Sequence, residues 1–207
     1  HDVEVALVIL QALERLHSGG GGPPVLMRGN DRTLAEGFYR GLGIDDHLAV
    51  LQRVDKLDKI GADAVHALLT SELGLSHEVA SACLDLATIS AADESFVERV
   101  RALGVRNDLL DEGLAELADV VRAAAAAVPG RLVADLKIAR GLDYYTGTVY
   151  EVQIRGREDW GTIAAGGRYD ALATDGKLTY PGVGLSIGVT RILGLLFGAG
   201  ALTATRS

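Results

Sequence analysis

Three short segments hold most of the residues that could do chemistry. In 139–151, ARGLDYYTGTVYE, Arg140 precedes Gly141, and Tyr144 and Tyr145 follow Asp143. Arginine suits phosphate or carboxylate because its planar fork donates two parallel hydrogen bonds. Tyrosine offers an aromatic face with a hydroxyl at its tip, which suits a small polar ring such as imidazole. A polar turn with two half-buried tyrosines is the other reading of the same residues. In 165–172, AGGRYDAL, paired glycines would let a ligand approach the backbone closely, and Arg168, Tyr169 and Asp170 follow directly. Taken alone, that glycine pair reads as a hairpin turn. In 181–193, PGVGLSIGVTRIL, alternating small residues on a candidate strand leave one face bare, with room for a flat ligand such as adenine. Arg191 then falls at a strand-to-helix junction, where its charge and the first helical N–H groups could meet a phosphate. The segment is neither a GxGxxG fingerprint nor a Walker loop.

These segments need elements to position them. Residues 3–16 predict a largely buried helix with Asp2 as its N-cap. The run HSGGGGPP at 17–24 breaks it, 25–27 is a short strand candidate, and 33–42 returns to helix with Gly43 near its C-cap. From 45 to 128 the apolar spacing is helical throughout, ending in a long amphipathic helix that stops at Pro129-Gly130. The texture then changes. TVYEVQI at 148–154 alternates and is rich in β-formers, 160–164 is a shorter strand candidate, 182–189 is another, and 191–197 is helical. Strands separated by short turns predict an antiparallel sheet. The reading is therefore α+β, divided as 1–44, a helical module over 45–128 that should fold around its own core, and 129–207.

Composition narrows the function. Of 207 residues 48% are hydrophobic, enough for a sizeable core, and the net charge of -8 makes the chain a poor stand-alone binder of nucleic acid. The apolar stretches are too short to span a bilayer, and no secretion signal is evident. The single cysteine, Cys83, excludes an internal disulfide and fits a reducing compartment. His17, His47, His66 and His77 lack ligand partners at metal-binding spacing, so no protein metal site is predicted.

In order, the three segments resemble the two histidine-specific signature motifs of histidyl-tRNA synthetases and class II motif 3. The helix DVEVALVILQALERL resembles the one that follows motif 2, and VDKLDKIG at 54–61 resembles the connection into the family's helical insertion. Three positions depart from the pattern: Tyr150 where Phe is usual, Thr190 where an acidic residue usually precedes the motif 3 Arg, and Ser186 where Gly or Ala is common.

The resemblance implies part of a class II synthetase core, a mainly antiparallel sheet flanked by helices and carrying an all-helical insertion. It implies a cytoplasmic, homodimeric histidine-tRNA ligase that uses histidine, ATP with Mg2+ and tRNA(His). Arg140 would be the catalytic arginine, Tyr144, Tyr145 and Tyr169 would bind histidine, and Gly188 and Arg191 would bind ATP. Motifs 1 and 2 and an anticodon-binding domain are not found here, so the chain by itself is expected to be a fragment that does not form the adenylate. The alternatives are a synthetase-like regulatory subunit of ATP phosphoribosyltransferase that senses histidine, and a structural remnant with no ligand. An intact RGLDYYTGTVYE and Arg191 favour the ligase, because a sensor needs no phosphate-gripping pair.

Overall fold

The computed structural model describes residues 1–19, 22–139 and 144–203. The chain opens with α1 (Asp2–Ser18), β1 (Val25–Asp31) and α2 (Arg32–Gly41). Five elements follow: α3 (His47–Val54), α4 (Leu57–Ile60), α5 (Ala62–Ser71), α6 (His77–Ala87) and the two-residue β2 (Ser90–Ala91). Then come α7 (Ser95–Ala102), α8 (Asp108–Ala127) and β3 (Leu132–Asp135). The last four are β4 (Thr148–Ile154), β5 (Thr162–Thr174), β6 (Thr179–Ile187) and α9 (Val189–Gly198). A short 3-10 turn at Glu158–Trp160 precedes β5.

The strands form one sheet in the order β2-β3-β1-β4-β5-β6. Among the described residues only the β1–β3 pair is parallel; the other four pairings are antiparallel, as the β-hairpin texture predicts. No helix among the described residues is long and apolar enough to cross a membrane.

The sequence boundaries hold best where local signals are strong. β4 covers the predicted residues, and α8 ends at Ala127, ahead of Pro129-Gly130. Side-chain caps set several helix starts: Asn107 accepts from Leu110 N at 2.9 Å to begin α8, and Asp31 accepts from Thr33 N and Leu34 N at 2.8 and 3.1 Å to begin α2. Four local expectations change. Asp2 is the first helical residue and not the cap; its carboxylate accepts from Thr148 Oγ1 at 2.7 Å and from Arg168 Nη1 at 2.9 Å instead. β1 runs on to Asp31, beyond the short strand predicted, because β4 pairs along its whole length. Trp160 lies in the 3-10 turn, and β5 extends from Thr162 to Thr174. The Gly166-Gly167 pair therefore sits within a strand and not at a hairpin turn. A Cβ on Gly166 would lie 2.0 Å from Gly184 O of β6, so close strand packing needs glycine there.

The stretch 45–128 is helical apart from β2, which pairs with β3. Within it α3, α5 and α6 pack on one another, and their buried residues run on into those of the sheet. Val50, Val54, Leu69, Cys83, Leu114 and Leu117 belong to the same buried cluster as Met27, Tyr150 and Val152 of the sheet. The helical stretch meets the first segment most closely where α8 lies against α2 at glycine-mediated contacts. A Cβ on Gly113 would sit 2.1 Å from Leu34 N, and one on Gly37 would sit 2.4 Å from Leu110 N. Backbone meets backbone at this crossing, and α8 also packs on α1, β1 and β3.

Candidate active site

Alternation along the strands gives the sheet two chemically different faces. The register aligns Arg28 of β1, Glu151 of β4, Ala165 of β5 and Ser186 of β6 across one face. The next row, Gly29, Tyr150, Gly166 and Leu185, faces the other way. A Cβ on Gly29 would meet the Tyr150 ring and Leu117 of α8 at 3.5 to 3.7 Å, so that second face carries the helices and the core.

The polar face floors a cavity of about 880 Å³. Its wall mixes signs: Arg28, Lys59, Lys137 and Arg191 with Asp55, Asp58, Glu151, Glu158 and Asp159. Residues from α3 and α4 form one side. Lys137 Nζ lies 2.9 Å from Asp58 Oδ1, and Arg28 Nη1 lies 3.5 Å from Asp135 Oδ2 and 3.9 Å from Asp58 Oδ2. Burial raises the Asp135 carboxyl above its ordinary range, against the opposing pull of Lys137 and Arg28. Gln153 Oε1 is buried with no hydrogen-bond partner among the described residues, an acceptor on the cavity wall.

Gly188 and Arg191 line the opposite side. Gly188 N donates to Ile163 O at 2.8 Å, joining the start of α9 to β5. Arg191, the third residue of α9, donates from Nη2 to Trp160 O at 3.0 Å. The Trp160 ring is in turn covered by the Arg157 guanidinium, 3.7 Å above its centre. Among the described residues Trp160 O is the hydrogen-bond partner found for Arg191, so other donors of its fork face the cavity it lines.

The three predicted tyrosines meet. The Tyr144 ring centre is 4.7 Å from that of Tyr145 and 6.1 Å from that of Tyr169, the latter pair edge to face. The ring contacts run through Tyr144, in the irregular stretch 144–147 that precedes β4. Burial, followed by the hydrogen bond to Tyr144 and the nearness of Tyr169, pushes the Tyr145 hydroxyl up to about 12. Glycines make room for these rings. A Cβ on Gly182 would lie 2.5 Å from the Tyr169 ring, one on Gly184 would lie 3.0 Å from its hydroxyl, and one on Gly167 would lie 3.0 Å from the Tyr145 ring.

Gly167 and Tyr169 share their strand face with Ala165, so the tyrosines stand on the cavity's side of the sheet, one and two alternation steps along. They do not themselves line that cavity. Arg140 lies outside the described residues. The backbone leading to it is held from the end of β1 and the start of α2: Asn30 Nδ2 donates to Leu136 O and Ile138 O at 3.1 and 2.9 Å, and Arg32 Nη1 donates to Ala139 O at 3.3 Å.

Sequence reasoning missed Arg28, Asp58, Lys59, Lys137, Glu151 and Gln153 as wall residues. The alternation in YEVQI could have placed Glu151 and Gln153 on one face; the others depend on chain segments far apart in sequence.

Comparison with known proteins agrees with the motifs. A family model described as histidyl-tRNA synthetase matches residues 3–192. The chain is 59% identical over 207 residues to a histidine-tRNA ligase of Cutibacterium acnes, covering 100% of this chain and 46% of that protein. It is 55% identical to one from Micrococcus luteus, covering 100% and 44%. Among solved structures, histidyl-tRNA synthetase from Nostoc sp. PCC 7120 superposes with a TM-score of 0.86 at 30% identity, over 98% of this chain and 49% of that one. A Bacillus halodurans protein described as an ATP phosphoribosyltransferase regulatory subunit/histidyl-tRNA synthetase gives a TM-score of 0.75 at 17% identity, over 97% and 56%, a likeness of fold alone. The chain spans less than half the length of the two curated relatives described. With its two signature motifs, motif 3 and a matching family model, this chain belongs to the histidyl-tRNA synthetase family.

Proposed function

We propose that this chain supplies the histidine pocket and part of the ATP site of a histidine-tRNA ligase that acts as a cytoplasmic homodimer. The observation that carries the reading is the meeting of Tyr144, Tyr145 and Tyr169 on the sheet face that also holds Arg191 and its cavity. In this reading the tyrosines accept histidine. Imidazole can both donate and accept, and hydroxyls placed for it reject apolar side chains, which would leave those buried groups unpaired. Arg191 and the α9 start at Gly188 hold ATP, with Arg191 on its terminal phosphate. Carboxylates among the wall's cations suit a nucleotide arriving as its magnesium complex. The histidine carboxylate attacks the α-phosphorus, pyrophosphate leaves, and the histidyl group passes from the adenylate to the terminal ribose of tRNA(His). Arg140 meets the charge that develops on the α-phosphate, where a fixed donor accelerates the step.

The second reading is a histidine-sensing subunit of ATP phosphoribosyltransferase. Identity of 59% and 55% to ligases, against 17% to the protein with the mixed description, favours the ligase. The test is histidine-dependent exchange of pyrophosphate into ATP by the protein as its gene encodes it. Exchange supports the ligase. Histidine binding without exchange refutes it in favour of the sensor, and no histidine binding refutes both.

A further inference from the structure

Arg168 stands between the two residues that place the tyrosines, Gly167 under the Tyr145 ring and Tyr169 itself. Neighbours on a strand point to opposite faces, so Arg168 takes the far face while Tyr169 takes the near one. Its guanidinium bridges two carboxylates on different elements. Nη1 donates to Asp2 Oδ2 of α1 at 2.9 Å, and Nε donates to Asp170 Oδ2 of β5 at 2.9 Å. The other oxygen of Asp2 accepts from Thr148 Oγ1 of β4 at 2.7 Å. Asp170 Oδ2 also accepts from Thr146 Oγ1 at 2.9 Å, while Asp170 N donates to that same hydroxyl at 3.1 Å and Thr146 N donates to Arg168 O at 2.9 Å. The Arg168 stem lies along the turn: a Cβ on Gly147 would come within 2.9 Å of its Cδ. The turn carrying Tyr144 and Tyr145 is therefore stapled to the strand carrying Tyr169, one residue away from a ring on each side, and the staple is anchored in the first residue of α1.

We propose that Arg168, through Asp2, Asp170 and Thr146, is a positioning residue for the histidine pocket: it touches no substrate, yet it fixes the mutual placement of Tyr144, Tyr145 and Tyr169. The inference rests on the reading of those tyrosines as the histidine pocket. Lysine does not substitute for Arg168. Its single ammonium cannot hold Asp2 and Asp170 with the geometry of a rigid fork, although it keeps charge and stem. The Arg168–Asp2 pair is partly buried, so salt screens it less than it would an exposed pair.

The experiment measures KM for histidine and for ATP, with thermal stability, in Arg168→Lys and Thr146→Val of the gene-encoded protein. Thr146 is exposed, so its loss tests the staple without threatening the fold. Both variants should raise the histidine KM by about tenfold or more, since displacement of a positioned group by about 1 Å can cost on the order of a hundredfold. The ATP KM should stay within about twofold of its starting value. An unchanged histidine KM in both variants overturns the proposal. So does a parallel rise of both KM values with a fall in melting temperature, which is what a merely structural role would produce. If the unaltered protein does not use histidine, the reading of the pocket fails, and this inference with it.

Discussion

Replacing Gly113 with alanine should destabilise the protein even though alanine is the better helix former. The added methyl carbon would lie 2.1 Å from Leu34 N, 2.6 Å from Leu34 Cα and 2.8 Å from Leu34 Cβ. Ordinary contact begins at about 3.5 Å, so α2 and α8 must part by more than about 1 Å. Leu34 N cannot step aside as a side-chain end would, because its N–H already caps α2 on Asp31. Overpacking costs about 1–3 kcal/mol, and a clash against backbone belongs near the upper end. Gly→Ala within a helix returns about 1 kcal/mol. The net is a loss of about 2 kcal/mol, or roughly 4–8 °C in Tm for a domain of this size. Thermal unfolding followed by circular dichroism measures it. Gly194→Ala in α9, where an added Cβ meets nothing within 4 Å, is the control and should be neutral or slightly stabilising. A Gly113→Ala protein that melts at or above the parent temperature would falsify the claim that backbone contact at this crossing merges the helical stretch with the sheet's core.

Two further perturbations probe the charge chemistry. Burial, with a smaller contribution from the neighbouring Glu116, raises the Asp31 carboxyl to about 8, although Leu34 and Thr33 N–H groups pull the other way. An unfolded aspartate titrates near about 3.9, so Asp31's contribution to stability is fully present below about pH 4 and is lost as pH rises through about 8. Asp31→Asn, which keeps the capping oxygen without the proton equilibrium, should gain on the parent as pH rises from 6 to 8.5; a pH-independent Tm difference between the two would sink this assignment. Arg140→Ala should cut the rate of adenylate formation by about a hundredfold or more while the histidine KM changes only a few-fold, as for a group that acts on developing charge. A variant altered only in its histidine KM would remove Arg140 from the catalytic role.

Much of the architecture could be read one residue at a time. Alternation in TVYEVQI delimits β4, the apolar stripe and Pro129-Gly130 bound α8, and ARGLDYYTGTVYE with AGGRYDAL identifies the family. These are properties of neighbours in the chain, and local propensity and motif spacing encode them directly. The tertiary structure decided what depends on distant partners. β3 escaped notice because it is four residues long and takes its definition from pairing in parallel with β1, and β2 has only two residues, which pair with β3. The Gly166-Gly167 pair had the local signature of a turn, yet close approach by Gly184 keeps it inside a strand. Arg28 and Glu151 share a face only because β1 pairs with β4, and Tyr144 became the hub of the ring cluster only because its turn is stapled to β5. Pairing register and backbone approach are relations between residues more than a hundred positions apart in the case of Arg28 and Glu151. No local pattern carries them, because their free energy appears only once the chain has closed on itself.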